Sequence, residues 1–353
     1  MNSSIGQKER IISLDIIRGI ALFGIMLINI PAYRIIIEGD IIPISSGVNQ
    51  YVNLLIHILI EKKFFAIFSF LFGVGFYIFI SRAEQRGDKP RWRFTRRLLS
   101  LLLLGVVHIF IFWGSILAIY AVIGFLLLPF YKAKVSTIKK WLGGFACVYL
   151  ISLIVTLAVP TMADTVSFLG NDTVLIYILF MAGFLVAKAG WLQQISRLHK
   201  QIRWIQMGTL PIVIAFSIWS WIVLQQDADN VMLVISLGTI PTVLFYLTTM
   251  FLLLENRRVV QLLQPIARVG QMALTNYVAQ SFLALAIMSL LGIEYASPSQ
   301  VVMLASIIFI IQILFSVLWF KFFKMGPLEK VWRFMTYGRK SVTTTKRKVV
   351  KEY

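Results

Sequence analysis

Ten stretches of this chain stay apolar for about the length a helix needs to cross a bilayer, roughly 20 residues. They are 11–33, 63–81, 98–113, 115–131, 141–161, 173–189, 204–224, 231–254, 272–292 and 301–320. Within lipid a helix satisfies its backbone hydrogen bonds internally, which loops and open sheets cannot do. The sequence therefore predicts an all-α polytopic membrane protein with about ten transmembrane helices. The third and fourth runs are short and separated only by Trp113-Gly114-Ser115, so a tight helical hairpin is expected there. Residues 50–60 are too short to span and are expected to lie in the interface or re-enter. A composition of 59% hydrophobic and 14% charged residues excludes an ordinary soluble domain, which carries about 25% charged residues. It equally excludes a disordered chain.

The net charge of +19 would suggest nucleic acid in a soluble protein. Its distribution argues otherwise. With the N-terminus in the cytoplasm and ten crossings, 30 of the 34 Lys and Arg residues fall in cytoplasmic segments. Seven lie between Arg82 and Arg97, and ten between Lys321 and Lys351. The outer segments keep Arg34, Lys62 and Lys63 and carry acids such as Asp164, Asp172 and Glu294. This asymmetry is the positive-inside pattern with both termini cytoplasmic. The expected organisation is one transmembrane helical domain over 1–335 and a basic cytoplasmic tail over 336–353 that lies on anionic headgroups. The first apolar run contains Asp15 and Arg18 and lacks a small-residue cleavage pattern, so it reads as a span and not as a secretion signal.

Ionisable groups inside spans are costly and therefore functional candidates. Asp15 and Arg18, three residues apart, share a helix face and can pair. Asn29 lies three turns further along that face, making a stripe that either glues helices or lines a ligand path. Lys63 opens the second span on the cation-poor side, where Gly73 and Gly75 would let another backbone approach closely. Arg97 is expected as an anchor at the inner edge of the third span. His108, in an almost wholly apolar helix, is either a buried neutral histidine or the best candidate general base. His57, in the short 50–60 segment, ranks second, and His199 belongs to a surface loop. Thr275, Asn276, Gln280 and Ser281 form a polar ladder in the ninth span, which either knits helices or lines a cavity. The lone Cys147 permits no intrachain disulfide and no cysteine metal site or redox pair. No P-loop, H-E-x-x-H or G-x-S-x-G pattern is present.

Five motifs, in order, resemble the DUF418 or YeiB-like family of bacterial membrane proteins. They are R-x-x-S-L-D-x-x-R-G-I-A-L-x-G-I-x-x-x-N from Arg10 to Asn29 and K-F-F-x-x-F-S-x-L-F-G-x-G from Lys63 to Gly75. G-x-x-H-x-x-x-F-W-G-x-I-L-x-x-Y-A runs from Gly105 to Ala121, and G-x-x-A-L-T-N-Y-x-x-Q-S from Gly270 to Ser281. G-P-L-E-x-x-W-R closes the set from Gly326 to Arg333. The family has a loose assignment to transport. Its first span is similar to that of transmembrane acyltransferases, the acyltransferase-3 and heparan-α-glucosaminide N-acetyltransferase-like groups. Those have an Arg, ten intervening residues and then a His or Asn, as Arg18 and Asn29 stand here.

The resemblance implies a transmembrane-acyltransferase-like bundle in the bacterial inner membrane. It also implies acyl transfer from cytoplasmic acyl-CoA to an extracytoplasmic or lipid acceptor. On that reading His108 or His57 is the base, Asn29 stabilises an oxyanion, and Arg18, held by Asp15, grips an anionic part of the donor. Lys63, Arg97, Thr275, Asn276 and Gln280 would contact substrate. Three positions depart from the pattern: Asn29 replaces the histidine of one group, Asp40 stands where the other has a histidine, and Ser115 replaces an acid. The competing reading is a transporter or a lipid- or quinone-binding protein without covalent chemistry, and a third is an accessory subunit. The expected partners are membrane lipids and a small-molecule or lipid substrate, with no nucleic acid and no metal, and a homodimer is compatible with the sequence.

Overall fold

The computed structural model describes residues 7–34, 46–226 and 230–338, with side chains from Ile12 onward. Asp40, Asp227, Asp229 and the tail beyond Gly338 lie outside the described residues. Among the described residues there are fifteen α-helices, a few 3-10 turns and no strand. In chain order the helices are α1 (Gln7–Ala32), α2 (Val48–Leu59), α3 (Lys63–Gln85), α4 (Pro90–Ile109), α5 (Ile116–Phe125) and α6 (Val135–Ala158). There follow α7 (Ala163–Val166), α8 (Asp172–Lys188), α9 (His199–Gln225), α10 (Val231–Leu253) and α11 (Arg257–Leu262). The last four are α12 (Gln264–Gln271), α13 (Ala273–Leu290), α14 (Pro298–Phe322) and α15 (Pro327–Tyr337). Prolines open α4, α14 and α15, where the missing N–H has no partner to lose. Ser297 and Gln300 form a capping box on α14.

All ten apolar runs become helical, but fewer are spans by themselves. Among the described residues seven helical stretches are long and apolar enough to cross a membrane, or eight if Pro160–Leu169 and Asp172–Lys188, bent by 42°, make one span. The difference from ten has a local cause. The third run begins in a basic segment, because α4 starts at Pro90 and includes Arg91, Arg93, Arg96 and Arg97. The fourth run forms only a 10-residue helix, α5. At 1.5 Å per residue such a helix is about 15 Å long, half of a ~30 Å hydrocarbon core. The two nonetheless pack as the expected hairpin, with Gly105 directly against the backbone of Ala118. The 50–60 segment is helix α2, which turns into α3 at Lys62, a left-handed residue with φ 63°.

Helix α1 runs through the centre, with Ile16, Ile17, Leu22, Met26 and Ile30 fully buried. It is flanked by α3, α12, α13 and α14. Two close crossings fix this core. A Cβ on Gly270 would lie 1.9 Å from the Asp15 carbonyl, and one on Gly19 would lie 2.4 Å from the Ile266 carbonyl. Helices α3 and α8 cross the same way: a Cβ on Gly73 would lie 2.0 Å from the Phe180 carbonyl oxygen and one on Gly183 1.9 Å from that of Phe70. The close approach expected at Gly73 is therefore present, whereas a Cβ on Gly75 would meet nothing within 4 Å. Helices α6 and α9 lie at the periphery, with Trp204, Ile214 and Ile218 among their exposed apolar side chains. So large an apolar surface would associate in water, but it suits contact with lipid chains.

Candidate functional site

A cavity of about 240 Å³ opens between α1, α3, α4, α5, α13 and α15. Its walls are mainly aromatic and aliphatic, including Phe68, Phe72, Phe76, Tyr120 and Tyr277. Polar groups enter at one end: Arg18 from α1, Gln271 at the end of α12, Arg97 from α4, and Glu329 from α15. This is also the end of the bundle that carries the cations of the α3–α4 connection.

Arg18 and Asp15 pair as their spacing predicts, with Arg18 Nη1 donating to Asp15 Oδ1 at 2.6 Å. The same nitrogen donates to the Gly270 carbonyl at 3.3 Å, which the glycine contact of α1 and α12 brings within reach. Arg18 keeps 26% of its side chain accessible toward the cavity. Arg97 differs. It is half-buried, and its guanidinium lies over the ring of Trp332 at 3.7 Å and that of Phe79 at 4.9 Å. Among the described residues its side chain makes no hydrogen bond or ion pair. Trp332 is fixed in turn by donating to the Arg97 carbonyl at 2.8 Å. The expected edge anchor is thus a cation held by stacking in a cavity wall, close enough to Arg18 for the two charges to repel.

Glu329 is already engaged. Its carboxylate accepts from the Leu274 and Thr275 amides at 2.7 and 3.1 Å and from the Thr275 hydroxyl at 2.6 Å. It therefore caps α13 from another helix, satisfying amides that the helix itself leaves open. The only carboxylate in the G-P-L-E-x-x-W-R motif was the available sequence signal for this role. Gln271, Trp332 and Tyr277 were likewise passed over, the last lying within the A-L-T-N-Y motif.

The remaining candidates separate into three groups. Asn29 and His108 belong to a second polar cluster, beyond Tyr277 from the arginines. His108 is 1% exposed, with Nδ1 at 2.8 Å from Ser115 Oγ and Nε2 at 3.1 Å from Ser281 Oγ. A neutral imidazole can donate to one serine and accept from the other. Ser115, which stands where the resemblance expects an acid, thus directly orients His108. Asn29 lies beside the hydroxyls of Tyr33 and Tyr277. Tyr33 Oη also faces Ser281, yet is buried without a hydrogen bond of normal geometry. Tyr277 joins the two regions: it lines the cavity, accepts from the Ile116 amide at 3.3 Å, and packs its ring 5.4 Å from that of His108. The Asp15–Arg18–Asn29 stripe is therefore divided, its first two members going to the arginine cavity and Asn29 to the histidine cluster.

The polar ladder on α13 knits helices. Asn276 Nδ2 donates to the Val269 carbonyl and to Ser316 Oγ, each at 3.0 Å. Gln280 Nε2 reaches the Leu22 carbonyl at 3.3 Å and Gln312 Oε1 at 3.2 Å, and Gln312 donates to the Asn276 carbonyl at 2.7 Å. Lys63 and His57 sit elsewhere. Lys63, 3% exposed, donates to the His57 carbonyl at 3.2 Å, while His57 Nδ1 contacts Glu61. His199 is on the surface, against Glu255. A larger groove, about 280 Å³ between Ile12, Leu254 and Val260, gathers none of the candidate residues. Among the described residues no group of His, Cys, Asp and Glu could hold a metal.

Comparison with known proteins matches residues 186–339 to a family described as a protein of unknown function, DUF418. Over 95% of its length the chain is 33% identical to an uncharacterized 39.9 kDa protein from the amylase 3′ region of Bacillus acidopullulyticus, covering 96% of that relative. It is 28% identical to the uncharacterized protein YxaH of Bacillus subtilis, over 94% of this chain and 95% of the other. It is 25% identical to the uncharacterized protein YeiB of Escherichia coli, over 93% and 96%. No solved structure matches.

Proposed function

The chain belongs to the DUF418 family of multi-helix membrane proteins, and from that premise we propose that it binds an anionic amphiphile inside the bundle. The headgroup would meet Arg18 and Arg97, and the apolar body would lie along the aromatic wall toward Tyr277. One observation carries this reading: Arg97 brings a charge into a mainly apolar cavity and, among the described residues, forms no ion pair there, the Glu329 carboxylate being engaged by Leu274 and Thr275. A charge so placed is costly until it is paired. By the positive-inside rule the arginine end faces the cytoplasm of a bacterial inner membrane, so the ligand would enter from that side or from its leaflet.

Acyl transfer is the second reading, and Tyr277 is the observation that favours it. An acyl-CoA would place a phosphate at the arginines and its thioester near Tyr277. An acceptor would approach His108 from the opposite side, where a serine-held imidazole can take a proton from a hydroxyl or amine. The transporter reading needs the same cavity without the bond exchange.

Titration of decanoyl-CoA and of decanoate into detergent-purified protein tests the proposal. Saturable binding is expected. Arg97→Gln should weaken it at least about tenfold, the equivalent of one charge-assisted hydrogen bond. A folded protein that binds neither ligand saturably would overturn it. Release of the CoA thiol on adding an amine or alcohol acceptor, lost in His108→Ala, would select acyl transfer. Binding without release would select the carrier.

A further inference from the structure

We infer that the cavity selects a singly charged headgroup, a carboxylate or a phosphodiester, over a doubly charged phosphomonoester; the inference rests on the amphiphile-binding reading. Four side chains and one helix end set the charge seen from inside. Arg18 is balanced by Asp15 at 2.6 Å, so it offers its remaining N–H donors but little net charge. Behind Asp15, Gln271 also reaches that carboxylate, and Arg268 is engaged with Gln271 at 3.0 Å and stacked on Phe320. Among the described residues Arg97 is the lining cation without an acid, its guanidinium stacked on Trp332 and Phe79.

Glu329 sets the upper limit. Its carboxylate lines the same cavity, and its hydrogen bonds to Leu274 and Thr275 hold it in place. The amide groups at the start of α13 offset part of its charge. With the Glu329 carboxylate engaged by two amides and the Thr275 hydroxyl, one negative charge entering the cavity has Arg97 as its partner. A second would have no free cation and would face a fixed carboxylate in a weakly screened interior. Repulsion of the wrong ligand contributes to selectivity as much as attraction of the right one. The volume agrees with a headgroup and a short apolar stretch: 240 Å³ accommodates on the order of eight water-sized groups.

The test compares three probes with one decyl chain: decanoate, decyl methyl phosphate and decyl phosphate. Binding to the full chain in neutral detergent is measured well above the second phosphate pKa, about 6. The two monoanions are expected to bind about tenfold more tightly than the dianion, the effect of one unmatched charge. Asp15→Asn, which releases the charge of Arg18, should raise dianion affinity and erase that ratio. Glu329→Gln should narrow the ratio independently, so the test survives if one variant fails to fold. Equal or tighter binding of decyl phosphate by the wild type, or an unchanged ratio in both variants, would overturn the inference and leave amphiphile binding intact. Binding of none of the three would remove the amphiphile reading itself. Repeating the titration in nanodiscs with and without phosphatidylglycerol identifies the source of the headgroup. Competition assigns a bilayer phosphodiester, and its absence assigns a soluble monoanion.

Discussion

Asn276 and Arg97 are both polar side chains within helices of a membrane protein, and they serve opposite ends. Asn276 spends its amide on Val269 and Ser316 and receives Gln312 on its own carbonyl. Interhelical hydrogen bonds of this kind contribute about 0.6 kcal/mol on average and up to about 1.7. Asn276→Leu is therefore expected to cost about 1–2 kcal/mol, read as a lower thermal midpoint in detergent, while amphiphile binding persists. At this scale the sequence was legible where the partner is local. The three-residue spacing of Asp15 and Arg18 is sufficient to predict their pair. That Asn276 knits helices while Arg97 is held only by stacking depends on which groups arrive from other helices, 36 and 40 residues away for Gln312 and Ser316 and 235 for Trp332, and spacing along the chain carries no such information.

At the level of helices, glycine decides how closely the bundle can pack. Gly73 and Gly183 lie where α3 and α8 touch backbone to backbone. An added methyl at Gly183 would meet the Phe70 carbonyl at 1.9 Å, and no rotamer change relieves a clash with backbone. Gly183→Ala is expected to cost about 3 kcal/mol, the upper range for overpacking, because the helices must separate. Gly143 on α6 has nothing within 4 Å, so Gly143→Ala should instead stabilise by up to about 1 kcal/mol through helix propensity. Similar thermal midpoints for the two variants would show that the crossing is not tight. The G-V-G pattern in α3 marked a close approach but did not say which glycine makes it. Gly73 meets α8 and Gly75 borders the cavity, a difference of about 200° around the helix axis.

For the whole molecule, the charge asymmetry predicts sidedness. With Cys147→Ala as background, a cysteine at Asp88 should react with an impermeant thiol reagent only after the cells are opened, and one at Asp164 in intact cells. The reverse pattern would invert the bundle and place the arginine cavity on the outer side. Hydrophobic run length and helix periodicity are local properties, and by themselves they determined that this chain is a multi-pass helical membrane protein; cation placement adds the expectation that its cations gather at one end. Only the tertiary structure decided that Arg18 and Arg97 share a cavity, that Glu329 reaches across to cap α13, and that Asn29 joins His108 instead of Arg18. Those groupings rest on contacts between residues distant along the chain, 252 positions for Arg18 with Gly270, 235 for Arg97 with Trp332 and 54 for Glu329 with Thr275. In a bilayer, hydropathy drives each helix into lipid but not against a particular neighbour. Which helices meet is left to small-residue crossings and a few polar bonds, whose partners exist only once the chain has packed.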